Sequence, residues 1–459
     1  MKQNIYKVAL CFLGLYFILI LSLIYVNQFQ SDMLTTHPKN RRVWEIEAGT
    51  IRGGIYDRNG EILAITDNDF TRSYPQGENT AHLVGYSSAR FGKTGLEDKY
   101  DSYLLGTVGT EKYLNFFRRL SGKAPEGSNI FLTLDLKMQK TAYKMLKGRR
   151  GAVVAINPKT GEVLALVSSP SYDANRLQES WDSLTNNENS PLLNRAIQGL
   201  YPPGSTLKIL VAAAALKNNP GYWDQTFNNP GYLEINGRRI HDTTVKTELT
   251  MKEGLAISSN ILFGSLALEL GSDYLVQAFE DFYFNKTIPF DLPVKNSSVP
   301  QASKLSENGL AELGIGQGEA LVTPFHMAMI TATIANDGVM YKPYIVDRIV
   351  SPEGFVLKQG KSKEMGQPID AETANLVTEG MVAVVEEGYG KNASLPGVTV
   401  AGKTGSAENP QGISHAWFVG FAPAEDPQIA VAVILENQGA GGTHAAPIAR
   451  ELFRIALGM

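Results

Sequence analysis

Residues 201–216 read YPPGSTLKILVAAAAL, a loop with two prolines and a glycine that runs into an apolar, alanine-rich predicted helix. Ser205 falls at the start of this helix, where the first-turn amides and the helix dipole favour developing negative charge. Lys208 follows one turn later on the same face. A lysine can take a serine proton if burial lowers its pKa, and the apolar residues 209–216 predict such burial. Ser205 is therefore a candidate nucleophile and Lys208 its candidate base, although such a pair also arises by chance.

A second polar element, ISSNI at residues 257–261, interrupts a stretch that is otherwise apolar and predicts a helix over 249–270. Polar groups in such a place need partners or a function. Ser258 could relay a proton, and Asn260 could bind a substrate backbone or hold the lysine. The alternative is a helix-capping serine beside a satisfied asparagine. A second Ser-x-Asn sequence at 306–308 lies in a polar segment predicted to be a loop, so Ser258 is the better candidate.

The third element is Lys403-Thr404-Gly405, which follows the predicted strand residues 398–402. A strand edge can dock an extended peptide, lysine and threonine can capture a carboxylate, and glycine lets a backbone come close. The same tripeptide occurs at residues 93–95 and 159–161. The first of these copies precedes every candidate catalytic element, and the second occupies a predicted hairpin turn, where such residues are ordinary. We therefore assign the substrate-binding role to the copy at 403–405.

The remaining pattern predicts an α+β fold, with strands early and late in the chain and helices between them. A strand at 131–135 leads into a helix over 136–147, for which Asp135 is the predicted N-cap. The other predicted strands are 152–156, 162–167, 417–421 and 429–435, and the other predicted helices are 205–216, 249–270, 324–336 and 446–457. We expect one antiparallel sheet whose strands come from both ends of the region from residue 131 to residue 457.

The N-terminal part of the chain has a different character. Residues 8–26 are uncharged and long enough to span a bilayer. Lys2 and Lys7 precede this segment, so the positive-inside bias places the N-terminus in the cytoplasm and the bulk of the chain outside. A cleaved signal peptide is the alternative. After a polar linker at 28–42, residues 51–128 predict a small, mostly extended module with a hairpin turn at Asn59-Gly60.

Composition excludes several function classes. A formal net charge of -4 gives no basic excess for binding nucleic acid. The only cysteine, Cys11, lies in the apolar segment, so the exported part carries no disulfide or thiol site. The six histidines show no metal-ligand spacing, and no metal or organic cofactor is expected. We expect a packing or surface role for His415, the one histidine near a motif.

The three elements occur in the order of the signature of β-lactamases and penicillin-binding proteins. The sequence resembles in particular the class B penicillin-binding proteins, the monofunctional transpeptidases that cross-link peptidoglycan. The resemblance extends over nearly the whole chain. It is carried by RGGIYDRNG at 52–60, GLE at 95–97, AINPKTGEVLA at 155–165, NRA at 194–196, GIGQG at 314–318, TP at 323–324, ANDG at 335–338 and AWFVGFAP at 416–423.

The resemblance implies a transpeptidase domain of the penicillin-binding-protein and β-lactamase type, with a five-stranded sheet sandwiched by helices. It places the active site between Ser205 and the edge strand that bears Lys403. It also implies an oxyanion hole formed by the backbone amides of Ser205 and Ser406, the latter a threonine in many relatives. The expected division of the chain is a cytoplasmic stub and transmembrane helix at 1–27, a linker and pedestal domain at 28–128, and the transpeptidase domain at 129–459.

The activity implied is D,D-transpeptidation of peptidoglycan stem peptides through a Ser205 acyl-enzyme, with β-lactams acylating the same serine. Implied partners are a SEDS-type membrane glycosyltransferase and other wall-synthesis proteins, in cell division or cell-shape maintenance. Two alternatives remain. A D,D-carboxypeptidase or β-lactamase would use water as the acceptor, and a membrane-bound receptor or scaffold would bind without turnover.

Overall fold

The computed structural model describes residues 2–26, 47–244, 246–410 and 412–459. The first helix is Lys2–Tyr25, and its portion Ile5–Tyr25 is strongly apolar and is not buried against the rest of the protein. This portion is long and apolar enough to cross a membrane, as the sequence predicts. The predicted linker at 28–42 lies outside the described residues.

A five-stranded antiparallel sheet, the catalytic sheet, forms the centre of the larger part of the chain. Its strands come from both ends of that part, as predicted. Successive residues of its middle strands alternate between two hydrophobic clusters, so both faces of the sheet are covered. In spatial order the strands are Ala401–Ala407, His415–Ala422, Ile429–Leu435, Gly151–Ile156 and Val163–Ser169.

Helices cover both faces of the catalytic sheet. Leu136–Leu146 and Ala446–Ala456 lie on one face, and the Asp135 carboxylate caps the first of them by accepting a hydrogen bond from Met138 N at 2.9 Å. The helices of the other cluster and its surroundings are Leu177–Thr185, Lys208–Asn218, Met251–Ala256, Asn260–Leu270, Ser272–Asp281, Glu307–Gly314, Pro324–Ala335 and Ala371–Glu386. A four-residue helix, Gly441–His444, follows the last strand of the sheet.

Short pairs of antiparallel strands lie outside the catalytic sheet. They are Phe227–Asn228 with Glu248–Leu249, Tyr232–Ile235 with Arg238–His241, and Met340–Tyr341 with Glu364–Gly366.

We call residues 129–459 the catalytic part. A second sheet, of six strands, joins the N-terminal module to a hairpin of the catalytic part. Strand Asn129–Leu132 lies at its middle, parallel to Ile55–Tyr56 on one side and antiparallel to Val346–Val350 on the other. The full order is Val356–Gln359, Val346–Val350, Asn129–Leu132, Ile55–Tyr56, Ile62–Thr66 and Arg72–Ser73. The division at residue 128 remains a proposal, and the strand directly after it pairs with the module.

The prediction of a mostly extended module is wrong. Besides its strands, the module contains the helices Ala81–Val84, Gly95–Lys99, Asp101–Leu104 and Glu111–Leu120, together with the strand pair Ser87–Ser88 and Gly92–Lys93. The longest of these helices was visible in the sequence, because Tyr113, Phe116, Phe117 and Leu120 repeat at helical spacing. The predicted turn at Asn59-Gly60 does join two antiparallel strands, Ile55–Tyr56 and Ile62–Thr66.

The continuous helix predicted over 249–270 is also wrong. The chain forms two helices, Met251–Ala256 and Asn260–Leu270, with Ser258 between them at a φ of 60°. A non-glycine residue in this left-handed region is uncommon and usually marks a turn or a site under local strain. Because of this break, Ser258 lies at the tip of a sharp turn and not on the face of a helix.

Candidate active site

The candidate nucleophile lies on a short helical turn that leads directly into the buried helix Lys208–Asn218. Gly204–Leu207 is a 3-10 turn, Ser205 is half-buried on it, and Lys208 is completely buried at the start of the α-helix. Among the described residues, no hydrogen bond joins the Ser205 hydroxyl to Lys208. Catalytic hydrogen bonds are often long before substrate binds, so the one-turn spacing remains suited to proton transfer.

The turn at Ser258 is brought against Lys208. Lys208 Nζ lies 2.6 Å from the Ser258 carbonyl oxygen, 2.7 Å from Asn260 Oδ1 and 3.3 Å from Ser258 Oγ. A neutral amine has two N–H donors and one lone pair. The carbonyl and the amide oxygen can take both donors, which leaves the lone pair for a hydroxyl proton.

Lys403 approaches Ser258 from the other side. Its strand, Ala401–Ala407, is the edge strand of the catalytic sheet, and its side chain is completely buried. Lys403 Nζ lies 2.9 Å from Ser258 Oγ and 3.0 Å from the carbonyl oxygen of Thr404. The Ser258 hydroxyl thus stands between two lysine amines, where it can pass a proton from one side of the cleft to the other.

Burial lowers the pKa of both lysines. Desolvation puts the pKa of Lys208 well below its ordinary value, and the nearby Lys403 lowers it further while Asp242 raises it. Desolvation lowers the pKa of Lys403 to about 7. Two ammonium groups sharing one hydroxyl repel each other, so a neutral Lys208 beside a protonated Lys403 is the favoured arrangement near neutral pH.

The other residues predicted on the edge strand lie beside the nucleophile loop. Thr404 is nearly buried and Ser406 is exposed. A Cβ on Gly405 would lie 3.2 Å from the Pro203 carbonyl oxygen and 3.0 Å from Thr206 Cγ2, so a larger residue would push the strand and the loop apart by a few tenths of an ångström. Trp417 Nε1 also donates to Pro202 O at 3.0 Å and fastens the loop to the sheet.

The three competing motif copies lie elsewhere and have structural partners. Ser306 caps the helix Glu307–Gly314 by accepting a hydrogen bond from Gly309 N at 3.2 Å. Lys159 lies in the hairpin turn and pairs with Asp426. Lys93 pairs with Glu47 at 2.7 Å in the module. Each copy therefore has a structural role away from the site. The loop predicted at 306–308 is wrong, because Glu307 and Asn308 lie in the first turn of this helix.

Asp242 is a site residue that the sequence analysis missed. One of its carboxylate oxygens accepts from Ser259 Oγ at 2.6 Å, and the other accepts from the backbone amides of Asn260 and of Ile261, the latter at 3.0 Å. The carboxylate thereby fixes the first turn of the helix that presents Asn260 to Lys208. Asp242 lies far along the chain from Ser205 and directly after a short hairpin, so no local sequence pattern marked it as a site residue.

We expect Asp242→Ala to lower the free energy of unfolding by about 2 kcal/mol, the upper end of the cost of losing a helix cap. Acylation by penicillin should slow roughly tenfold to a hundredfold, because a displaced Asn260 no longer positions Lys208. Thermal unfolding and stopped-flow acylation measure the two effects. The exposed Asp224 provides the matched control, and an Asp242→Ala protein that behaved like Asp224→Ala would contradict the positioning role.

A buried polar cluster holds the loop before Ser205. Glu436, at the end of strand Ile429–Leu435, accepts from Tyr201 Oη at 2.8 Å and pairs with Arg195 Nε at 2.7 Å. His415 packs edge-on against the Tyr201 ring at 5.7 Å and accepts from Asn437 N at 3.1 Å. The packing role predicted for His415 agrees with these contacts. Among the described residues, no group of three or more histidine, cysteine, aspartate or glutamate side chains could hold a metal ion.

This arrangement defines a class of protein, the serine acyl-transfer enzymes in which a lysine one turn after the serine is held by a Ser-x-Asn turn. Comparison with known proteins is more specific. The penicillin binding protein transpeptidase domain matches residues 151–454, and the penicillin binding protein A dimerisation domain matches residues 52–130. The chain therefore belongs to the penicillin-binding protein transpeptidases, in their class B.

Similar proteins come from several bacteria. Peptidoglycan D,D-transpeptidase PbpA of Mycolicibacterium smegmatis is 33% identical, over 100% of this chain and 99% of the relative. Peptidoglycan D,D-transpeptidase MrdA of Acinetobacter baumannii is 32% identical over 84% of this chain and 66% of the relative. The penicillin G acyl-enzyme of penicillin-binding protein A from M. tuberculosis superposes with a TM-score of 0.83 at 32% identity, covering 89% of this chain and 100% of that one.

Proposed function

We propose that this protein is a peptidoglycan D,D-transpeptidase that cross-links stem peptides through an acyl-enzyme on Ser205 and is acylated there by β-lactams. One observation carries the assignment of the site. The buried Lys208 amine, with its pKa lowered, has both possible N–H donors engaged by Ser258 O and Asn260 Oδ1 within one turn of Ser205. That arrangement suits a base that accepts a proton from a hydroxyl.

In the first step, Lys208 takes the proton of Ser205, and Ser205 Oγ attacks the carbonyl carbon between the last two D-alanines. The amides of Ser205 and Ser406 are the proposed donors to the developing oxyanion. Ser258, in contact with both lysines, returns a proton to the departing D-alanine amine. Lys403 and Thr404 hold the terminal carboxylate of the donor peptide. In the second step, the amine of a neighbouring stem peptide attacks the acyl carbon and the bond from that carbon to Ser205 Oγ breaks. Lys208 takes the proton of the amine and returns it to Ser205 Oγ, which restores the free enzyme.

We further propose that the first helix anchors the enzyme in the bacterial cell membrane as a single span. Lys2 and Lys7, which precede the uncharged residues 8–26, support a cytoplasmic N-terminus and an extracytoplasmic catalytic domain. A SEDS-type membrane glycosyltransferase, which would supply the glycan strands, and other wall-synthesis proteins are the proposed partners.

The test is to label the full-length protein in detergent with a fluorescent penicillin and to locate the adduct by peptide mass spectrometry. A long-lived adduct on the peptide that contains Ser205, which a stem-peptide amine acceptor discharges faster than water does, supports the transpeptidase. Rapid hydrolysis of the drug would instead support a carboxypeptidase or β-lactamase. Absence of any adduct on folded protein would leave a scaffold that binds without turnover.

We expect a bell-shaped pH profile for the second-order rate of acylation by penicillin. On the acid side the rate rises as Lys208 loses its proton, at a pH well below the ordinary range of lysine because its pKa is lowered. On the alkaline side the rate falls above a pH of about 7, where Lys403 loses the charge that attracts the drug's carboxylate. A penicillin methyl ester, which lacks this carboxylate, should lose the alkaline fall. An alkaline fall of equal size for the ester would contradict the role of Lys403.

A further inference from the structure

The helix Glu111–Leu120 of the module turns its polar side toward the protein and its apolar side toward solvent. Its buried residues are the polar Glu111 and Asn115, whereas its large apolar side chains face outward. We define the outer patch as Tyr113, Phe116, Phe117, Leu120 and, on the neighbouring hairpin, Phe355. Their side chains are between 58% and 70% exposed. Soluble surfaces rarely gather so many large apolar groups unless something covers them.

The reversal is fixed by specific bonds. Asn115 Nδ2 donates to Gly106 O at 3.0 Å and to Glu126 O at 2.8 Å, and Asn115 Oδ1 accepts from Glu126 N at 3.0 Å. Arg118 pairs with Glu353 at 2.7 Å and so ties the helix to the hairpin that carries Phe355. The polar side of the helix is therefore bound to the protein, and the apolar side has no route inward.

The helix also lies beside the point where the chain arrives from its apolar N-terminal segment. Ile51 pairs with Glu126, the residue to which Asn115 is bonded. Residues 27–46, between the apolar helix and the module, can span at most roughly 70 Å when fully extended. The outer patch is thus within tether reach of the bilayer that the first helix would enter.

Charge favours lipid over a second copy of the chain as the covering partner. The exposed residues Lys112, Arg119 and Lys123 flank the outer patch. Aromatic and leucine side chains on one face with lysine and arginine beside them are typical of helices that lie in the interface of anionic membranes. Two copies meeting through this patch would bring their basic groups together. We propose that the outer patch is a second membrane contact, seated in the headgroup region of the bilayer that holds the first helix.

The test uses the full-length protein. Its only cysteine, Cys11, is replaced by serine so that a newly introduced cysteine is the only one that takes up the label. In the Cys11→Ser background, Phe117→Cys or Glu179→Cys carries a nitroxide label. Glu179 is the matched control, since its side chain is 70% exposed on a helix of the catalytic part. Each protein is reconstituted in vesicles of phosphatidylglycerol and phosphatidylethanolamine, and collision rates of the label with oxygen and with a water-soluble nickel chelate are measured. Unchanged penicillin labelling shows that each variant is folded.

The expected result is a severalfold higher oxygen-to-nickel ratio at residue 117 than at residue 179. Replacing Lys112, Arg119 and Lys123 by glutamine should lower the ratio at 117 in these vesicles. Equal ratios at 117 and 179 would overturn the proposal. Strong dipolar coupling between labels at residue 117 would also overturn it, in favour of contact between two copies. Shielding of residue 117 that appeared only in native membranes, and not in pure lipid, would overturn it in favour of a protein partner.

Discussion

Ser205→Ala should form no covalent adduct with labelled penicillin, because the oxygen that would carry the acyl group is gone, and the labelling rate should fall at least about 10³-fold, to background. The residue is half-buried and bears no described side-chain hydrogen bond, so the free energy of unfolding should change by less than about 0.5 kcal/mol. Gel fluorescence and intact-protein mass spectrometry measure the adduct.

Ser306→Ala is the matched control, because Ser306 belongs to the competing Ser-x-Asn sequence and caps a helix outside the site. It should keep full acylation and lose only about 1 kcal/mol of stability. A residual adduct in Ser205→Ala that mapped to another serine would show that the nucleophile has been misassigned.

Lys208→Met should slow acylation by roughly 10² to 10⁴, the usual contribution of a general base. Methionine has a similar length and needs no hydrogen-bond partner for its side chain. Removal of the amine leaves Ser258 O and Asn260 Oδ1 without their donor, so the free energy of unfolding should fall by about 1 to 3 kcal/mol. Stopped-flow acylation and calorimetry separate the two effects.

Lys217→Met is the control on the same helix, since the Lys217 side chain is 41% exposed and should not affect acylation. If Lys208→Met acylated within about threefold of the unmodified protein, the proton would have to leave Ser205 by another route. Lys403 acting through Ser258 would then be the base, since its amine contacts the same hydroxyl.

The sequence was most informative for residues whose side-chain chemistry and position along the chain indicate the same role. Lys403 could be selected from three identical tripeptides because it follows the other two elements and adjoins a strand, and the structure brings it together with Lys208 and Ser258. The roles of these residues remain predictions. The short apolar runs early and late in this part of the chain, with helical stretches between them, were enough to predict a sheet built from both ends of the catalytic part.

The failures arose where distant segments decide the structure. The break at Ser258 depends on Asp242, 16 positions earlier, and on a backbone conformation that helix propensity does not anticipate. The helix Glu111–Leu120 had a clear helical repeat, but its outward apolar face contradicts the usual expectation that such a face is buried. Pairing of Val346–Val350 with Asn129–Leu132 joins segments over 200 residues apart, and no local pattern specifies such a partner.

That same pairing constrains how the protein can change over evolution. The module's sheet continues into a hairpin that belongs, by sequence position, to the catalytic part, and the shared strand Asn129–Leu132 has a neighbour from each side. Exchange of the module alone would leave that strand with an unpaired edge, which is prone to aggregation. A viable recombination must therefore carry residues 346–359 along with the N-terminal segment, so the module and this hairpin should be inherited as one unit although most of the catalytic part lies between them in the sequence.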